Sequence, residues 1–313
     1  MADTPVTIVH LVRASNGFGP FEAFISSFRE FPPGTRNELV LAMKGFGPDD
    51  DVDQYRRRVA DLDTEMRFVP DDGLDLTVYF SLALELARER YCFLNSFSRV
   101  QAPDWLAHLA AALDHPDVGL VGASGMWGSG HSYMHYRWWL PSPYRDVFPD
   151  RRNVWEQFRA IESDRTGAPP PSLLRRRVRI PFALRDVVRQ TLWFPLFPAA
   201  HVRTNAFVID ASTLDRLRIP VVRNKFEAYR LESGRRSLTR QVQQLGLRAQ
   251  LVDRQGRSYD VEDWARSATF WQGRQEGLLV ADNQTDTYQN GSAARRSVLS
   301  RFAWASEAAP TDP

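Results

Sequence analysis

The chain has 313 residues, 43% hydrophobic and 25% charged, a balance typical of globular proteins and long enough for one large core or two fused halves. Lysine and arginine (40) nearly balance aspartate and glutamate (38), leaving a formal charge of +2, so bulk charge gives no argument for nucleic acid as a partner. The single cysteine, Cys92, excludes an internal disulfide and a cysteine zinc cluster, and no apolar run approaches the ~20 residues of a membrane helix.

Met1-Ala2-Asp3 leads into a strand pattern without a basic region and apolar stretch, so no signal peptide and a cytoplasmic location are expected. Val6 to Val12 is β-rich and predicts the first strand; Arg13-Ala14-Ser15-Asn16-Gly17 is a polar turn, and Phe21 to Phe28 a helix. Gly17-Phe18-Gly19-Pro20 does not have the spacing of a dinucleotide or phosphate-loop fingerprint. A second strand follows over Glu38 to Met43. Asp49-Asp50-Asp51 then reads as capping for a helix over Val52 to Leu62, because consecutive helical side chains point apart and make a poor metal site. Met66 to Pro70 is a third strand, Asp71-Asp72-Gly73 a turn, and Leu76 to Ala87 a helix.

The stretch Arg90 to Val100, R-Y-C-F-L-N-S-F-S-R-V, organises what surrounds it. Tyr91 to Leu94 has the short apolar run of a buried strand, and Asn95 and Ser96 mark its carboxyl end, the end at which open parallel sheets bind ligands. A helix over Ala102 to Leu113 and a strand over Val118 to Ala123 complete an expected parallel crossover. From Met126 to Ala200 the chain is dense in Trp, Tyr, His, Arg and Pro, and proline breaks its periodicity repeatedly, which reads as an elaborated insertion. Its rings and arginines suit stacking on sugars and pairing with phosphates, or a local core. His115, His131 and His135 lack a partner at metal spacing. Leu174-Arg175-Arg176-Arg177-Val178-Arg179 is a basic cluster: a solvated face, or a place of peripheral contact with anionic lipid at the inner face of a membrane.

Regular structure resumes with a strand over Arg203 to Asp210 and a helix through Leu217. In Lys225 to Gly246, Glu232-Ser233-Gly234 breaks the chain, Leu238, Val242 and Leu245 share a helical face, and Gly246 ends that helix. Arg248 to Val252 is a further strand, and the tail carries Trp264 and Trp271.

In this order of elements, F-L-N-S-F-S-R-V-Q-A-P-D-W-L followed by V-G-L-V-G-A-S-G, and then A-F-V-I-D-A-S-T-L-D-R-L ahead of Glu232-Ser233, Arg240 and Gly246, resembles the GT-A fold glycosyltransferases of the family 2 type. The resemblance covers roughly the first 125 and the last 110 residues. It implies one α/β domain over 1–313, a three-layer sandwich around a mostly parallel sheet: a nucleotide-sugar half (1–125), the aromatic and basic insertion (126–200) and an acceptor half with the tail (201–313). It further implies transfer of a sugar from a nucleoside diphosphate sugar to a glycan, glycolipid or other hydroxyl acceptor, with no nucleic-acid partner. The donor would lie against Arg13, Ser15, Asn16, Asp75, Asn95, Ser96, Ser98 and Arg99. Arg203, Thr204, Asn205, Arg240 and Trp264 would meet the acceptor or a phosphate. Two departures qualify it. Asn95-Ser96-Phe97-Ser98 stands where the family has metal-binding aspartates, so no metal or other cofactor is expected, with a divalent ion left open. Ser233 replaces the second carboxylate of an E-D pair, which passes the role of base to Glu232, expected on the face opposite the leaving group and therefore inverting. The alternative is a GT-A-like module that has lost catalysis and binds a nucleotide or glycan.

Overall fold

The computed structural model of the protein describes residues 4–129 and 188–304. Most of the aromatic stretch 126–200, with His131, His135 and the Arg175–Arg179 cluster, lies outside the described residues. An eight-stranded sheet forms the centre, in the order β11-β10-β6-β9-β4-β1-β2-β3. Its strands are β1 (Val6–Arg13), β2 (Asn37–Lys44), β3 (Thr64–Val69), β4 (Arg90–Leu94), β6 (Val118–Gly122), β9 (Ala206–Asp210), β10 (Arg248–Val252) and β11 (Ser258–Tyr259). β1 pairs in parallel with β2 and β4, β2 with β3, and β10 with β6; β9 and β11 alone run against their neighbours. The mostly parallel α/β sheet expected from the alternating elements is present.

β4, the helix Trp105–Leu113 and β6 form the expected parallel crossover, with β4 and β6 not hydrogen-bonded to each other. β9 lies between them, antiparallel to both, with Phe93 opposite Phe207 and Val121 opposite Val208. Nothing local in β4 or β6 could reveal this, because a strand buried on both faces is equally apolar whichever neighbour it takes.

Alternate strand residues feed two cores. Val9, Leu11, Val40, Ala42, Tyr91, Phe93, Phe207 and Ile209 face the helix Asp75–Leu86 on one side. Ile8, Val12, Leu39, Leu41, Cys92, Leu94 and Val208 face the helices Phe18–Glu30 and Trp105–Leu113 on the other. The result is a three-layer sandwich. Local chemistry sets the helix ends. The Asp51 carboxylate accepts from Gln54 N (3.2 Å) and caps Val52–Arg58, as its sequence position suggests, although that helix stops short of Leu62. Gly234 ends Lys225–Ser233, where any Cβ would lie 2.3 Å from the Arg230 carbonyl oxygen; Gly246, at φ +80°, follows Leu238–Gln244. Two further strands, β7 (Gly125–Met126) and β8 (His201–Val202), pair antiparallel and draw together the two ends of the insertion. A last pair joins β5 (Arg99–Val100) to β12 (Val280–Ala281) and ties the tail to the segment after β4.

His10, in the middle of β1, is fully buried and stacks on Phe24 with ring centroids 3.7 Å apart; neither ring nitrogen has a hydrogen-bond partner among the described residues. Burial pushes its pKa down to about 3. An unfolded histidine takes up its proton near pH 6.5, so between those values the unfolded chain holds more protons. Stability therefore falls as the pH drops through that window, by at most about 1.4 kcal/mol per pH unit. His201, also lowered by burial, adds a slope of the same sign. We predict that His10→Phe removes one of these two slopes. Urea unfolding at neutral pH and near pH 5 measures it, and an unchanged loss on acidification would refute it.

Candidate functional site

At β1 the sheet order reverses: β2 and β3 lie to one side and β4 to the other, the arrangement that in open α/β sheets places the ligand crevice outside the carboxyl ends of the two strands, here β1 and β4. The turn Ala14–Asn16 leaves β1 there and is closed by Gly17 at φ +69°. The Asn16 side-chain amide donates to Ser96 Oγ (2.8 Å), bridging the two strand ends. Asn95 shapes the turn after β4. Its Oδ1 accepts from Phe97 N (2.9 Å) and the Ser98 hydroxyl (3.1 Å), while its N–H donates to the Asn205 carbonyl (2.9 Å). Ser15 stands exposed on the rim.

A charged group flanks this crevice. Lys44, at the end of β2, is buried and bonded to Asp71. Arg13, at the end of β1, lies 4.0 Å from Asp71 and 3.9 Å from Asp75, the first residue of the helix Asp75–Leu86. The Lys44 ammonium, with a smaller contribution from Arg13, holds the Asp71 carboxyl below its usual value; burial pushes that of Asp75 above it. Two cations and two carboxylates at neighbouring strand ends make a polar wall with little net charge.

β9 supplies the other wall. Because it runs antiparallel, its amino end lies beside the carboxyl end of β4, so Thr204 and Asn205 reach the same edge as Asn95. Glu232, in the last turn of Lys225–Ser233, accepts at one carboxylate oxygen, Oε1, from Thr204 N (2.9 Å) and Thr204 Oγ1 (3.1 Å). Its Oε2 has no hydrogen-bond partner among the described residues. Thr239 Oγ1 accepts from Val202 N (2.9 Å), which fixes the helix Leu238–Gln244, and with it Arg240, against β8. Nearby, His201 is buried, and its Nδ1 lies 2.8 Å from the Ala199 carbonyl, so that nitrogen carries the proton and Nε2 remains an unpaired acceptor.

Several sequence expectations change here. Glu232 stands ahead of the expected break and of the helix Leu238–Gln244, but it belongs to the last turn of the preceding helix, which runs on through Ser233 and breaks at Gly234. Trp264 was expected at the acceptor, but it is fully buried and its indole N–H donates to the Tyr259 carbonyl (3.0 Å), so it belongs to the core. Arg203 was expected to meet acceptor or phosphate. It is buried, donates to Asp282 (2.7 Å) and Ser124 (3.2 Å), and lies over the Phe270 ring. Arg99, expected at the donor, pairs with Asp286 (2.6 Å), and Ser98 is fully buried within its turn. Asn205 is buried, accepting from Ser124 (2.8 Å). Arg13, Ser15, Asn16, Asp75, Asn95, Ser96, Thr204 and Glu232 are gathered at the crevice and its walls. Lys44, Asp71, His201 and Asp282 went unassigned; of these only Lys44 carried a usable signal, a cation at a strand's carboxyl end.

The donor set does not suit a divalent ion. Asn95 and Ser96 are engaged in local hydrogen bonds, Asp71, Asp75 and Asp282 each face a lysine or arginine, and no group of three metal-ligating side chains occurs among the described residues. The buried Asp282 also caps the helix Asn283–Gln289 through Gln284 N and Thr285 N, so it joins the tail to the β8–β9 wall. Removing its charge strands the Arg203 guanidinium. Asp282→Asn is expected to lower unfolding stability by about 3–5 kcal/mol, measured by urea titration; a change within experimental error would show that the pair does not hold this wall.

No protein-family model matches the chain, and no curated protein does. Among solved structures it is similar to a mannosyltransferase from Pyrobaculum calidifontis in complex with GDP-Man and Mn2+, at 21% identity, over 39% of this chain and 36% of that one, with a TM-score of 0.33. It is similar to S. aureus TarS at 13% identity, over 38% and 21%, with a TM-score of 0.31. A third is GalNAc-T7 with UDP, GalNAc and Mn2+, at 15% identity, over 39% and 23%, with a TM-score of 0.32. The chain thus spans about a third or less of the length of these structures. At these scores and coverages the likenesses assign no role to this chain; its three layers and mostly parallel sheet stand on the sheet order itself.

Proposed function

We propose that the protein is an inverting glycosyltransferase that takes a nucleoside diphosphate sugar in the β1/β4 crevice and works without a resident metal. The observation that carries this reading is Glu232. Thr204 grips one carboxylate oxygen and leaves the other open, on the wall adjoining the crevice. A carboxylate oriented in this way suits a general base. It removes the proton of the acceptor hydroxyl as that oxygen bonds to the anomeric carbon; the bond to the diphosphate oxygen breaks and its electron pair leaves with the diphosphate. Attack opposite the leaving group inverts the anomeric centre. With Arg99 and Arg203 committed to carboxylates, Arg13 and Arg240 remain to stabilise the departing charge, since a guanidinium can meet a phosphate in two places. The glycan or glycolipid acceptor would approach from the Glu232 side.

A second reading, a nucleotide- or glycan-binding module without catalysis, draws on the same contact. A carboxylate taking two hydrogen bonds from one residue also serves to fix the loop between β8 and β9. Substitution separates the two. Glu232→Gln keeps the shape and removes the proton acceptor, so transfer of labelled sugar should fall by about 10²–10⁴ while nucleotide-induced thermal shifts persist. Glu227 is the internal control: at the start of the same helix it accepts from Arg223 N (2.7 Å) and Asn224 Nδ2 (2.9 Å), and Glu227→Gln should leave transfer nearly intact. Equal small effects from both would favour the binding module. Adding a chelator should leave transfer unchanged, and loss restored by manganese would overturn the metal-free mechanism.

A further inference from the structure

Most arginines described above sit on carboxylates: Arg90 on Asp114 and Asp210, Arg203 on Asp282, Arg248 on Asp117 and Asp260. From Arg216 to Arg240 the pattern stops. This stretch holds eight basic side chains against two carboxylates, Glu227 and Glu232, and among the described residues none of the eight forms an ion pair. Beside it, a short helix over 188–193 packs on Lys225–Ser233. The Arg235 N–H donates to the Trp193 carbonyl (2.8 Å), the Phe194 and Phe226 rings meet at 5.7 Å, and the Arg230 guanidinium lies 3.3 Å from the centre of the Trp193 ring. The side turned to solvent is apolar. Leu192 is 64% exposed, Leu196 50% and Trp193 39%, whereas a monomer ordinarily exposes its large apolar side chains singly.

We propose that this face, formed by 188–196 and the adjoining basic helix, docks on an anionic lipid surface. Exposed leucines and a tryptophan rimmed by unneutralised arginines have the composition that seats a protein in the headgroup region, where apolar burial and attraction to anionic lipid act together. The charge argues for lipid over a second copy of the chain, because two such faces would bring their cations together. Burial lowers the Arg230 pKa below its usual value; Glu227 nearby opposes that shift, while Arg236 and Arg189 add to it, so one carboxylate stands against a group of cations here. The contact proposed is peripheral, made by side chains on this face; among the described residues no helix is long and apolar enough to cross a membrane. It deepens the transferase reading by bringing the surface within a helix of Glu232, where a lipid-linked acceptor would be presented. Docking itself does not require the activity.

The test uses the full chain without any nucleotide sugar, so its failure and a failure of catalysis are separate results. The protein should co-sediment with mixed phosphatidylcholine and phosphatidylglycerol vesicles, weakly with phosphatidylcholine alone, and less as salt is raised. Arg230→Gln and Arg236→Gln should each weaken binding about fivefold. Leu192→Ser combined with Leu196→Ser should abolish sedimentation while thermal unfolding stays unchanged, since both side chains are exposed. Arg56→Gln, on the helix Val52–Arg58 packed against the other core, should have no effect. Absence of binding to mixed vesicles, an equal loss from Arg56→Gln, or a dimer in sedimentation equilibrium that the double serine variant dissolves would each overturn the proposal.

Discussion

The position of β9 is the constraint on which the site depends. A parallel strand between β4 and β6 would deliver its carboxyl end to the crevice and its amino end to the far side of the sheet. Running antiparallel, β9 instead brings the residues that precede it, Thr204 and Asn205, level with Asn95 at the carboxyl edge. The loop that carries them is then fixed from three directions. Asn205 and Ser98 tie it to the β4 turn, Arg203 ties it to the tail through Asp282, and Thr204 ties it to the helix bearing Glu232. At the opposite end of β9, Asp210 and Asp114 both accept from Arg90, so the strand is fixed at both ends by charge as well as by its ladder.

The charges at this edge fall into matched sets, and that decides which of them can serve a ligand. Asp71 has Lys44, Asp75 has Arg13 and Asp282 has Arg203. A buried carboxylate with an arginine partner is a poor metal ligand, because binding the metal would strand the arginine in a place where water cannot reach it. Arg203 shows the same logic from the cation's side. With Asp282 and Ser124 on its nitrogens and Phe270 beneath its plane, it is held in the wall and buried from solvent. Arg13 differs, since its two carboxylate contacts are long and its side chain remains partly exposed.

Sheet and helices were legible in the sequence because their signals are local. Short, near-continuous apolar runs predict β1, β2 and β4 within a residue or two of their observed ends, and the helix Asp75–Leu86 keeps one face in the core as its pattern requires. Asn95 and Ser96 could be assigned to the crevice edge because a polar pair directly after a buried strand has few other places to be. Arg99 and Arg203 are engaged elsewhere because a charged residue beside a strand end reads the same whether it faces a ligand or a partner brought in from far along the chain: Asp286, 187 residues away, and Asp282, 79 residues away. Trp264 differs, since its indole N–H is satisfied locally by the Tyr259 carbonyl and its burial comes from the surrounding core.

By itself the sequence determined the class of fold, the run of strands and helices, and the absence of aspartates after β4, since each follows from side-chain type and spacing along a few residues. Only the tertiary structure decided that β9 separates β4 from β6, that Glu232 ends a helix and leans on Thr204, and that the arginines divide into paired and unpaired groups. Those outcomes depend on which distant segments share an edge, and the free energy that selects them comes from burial and ion pairing summed over contacts that no local pattern records.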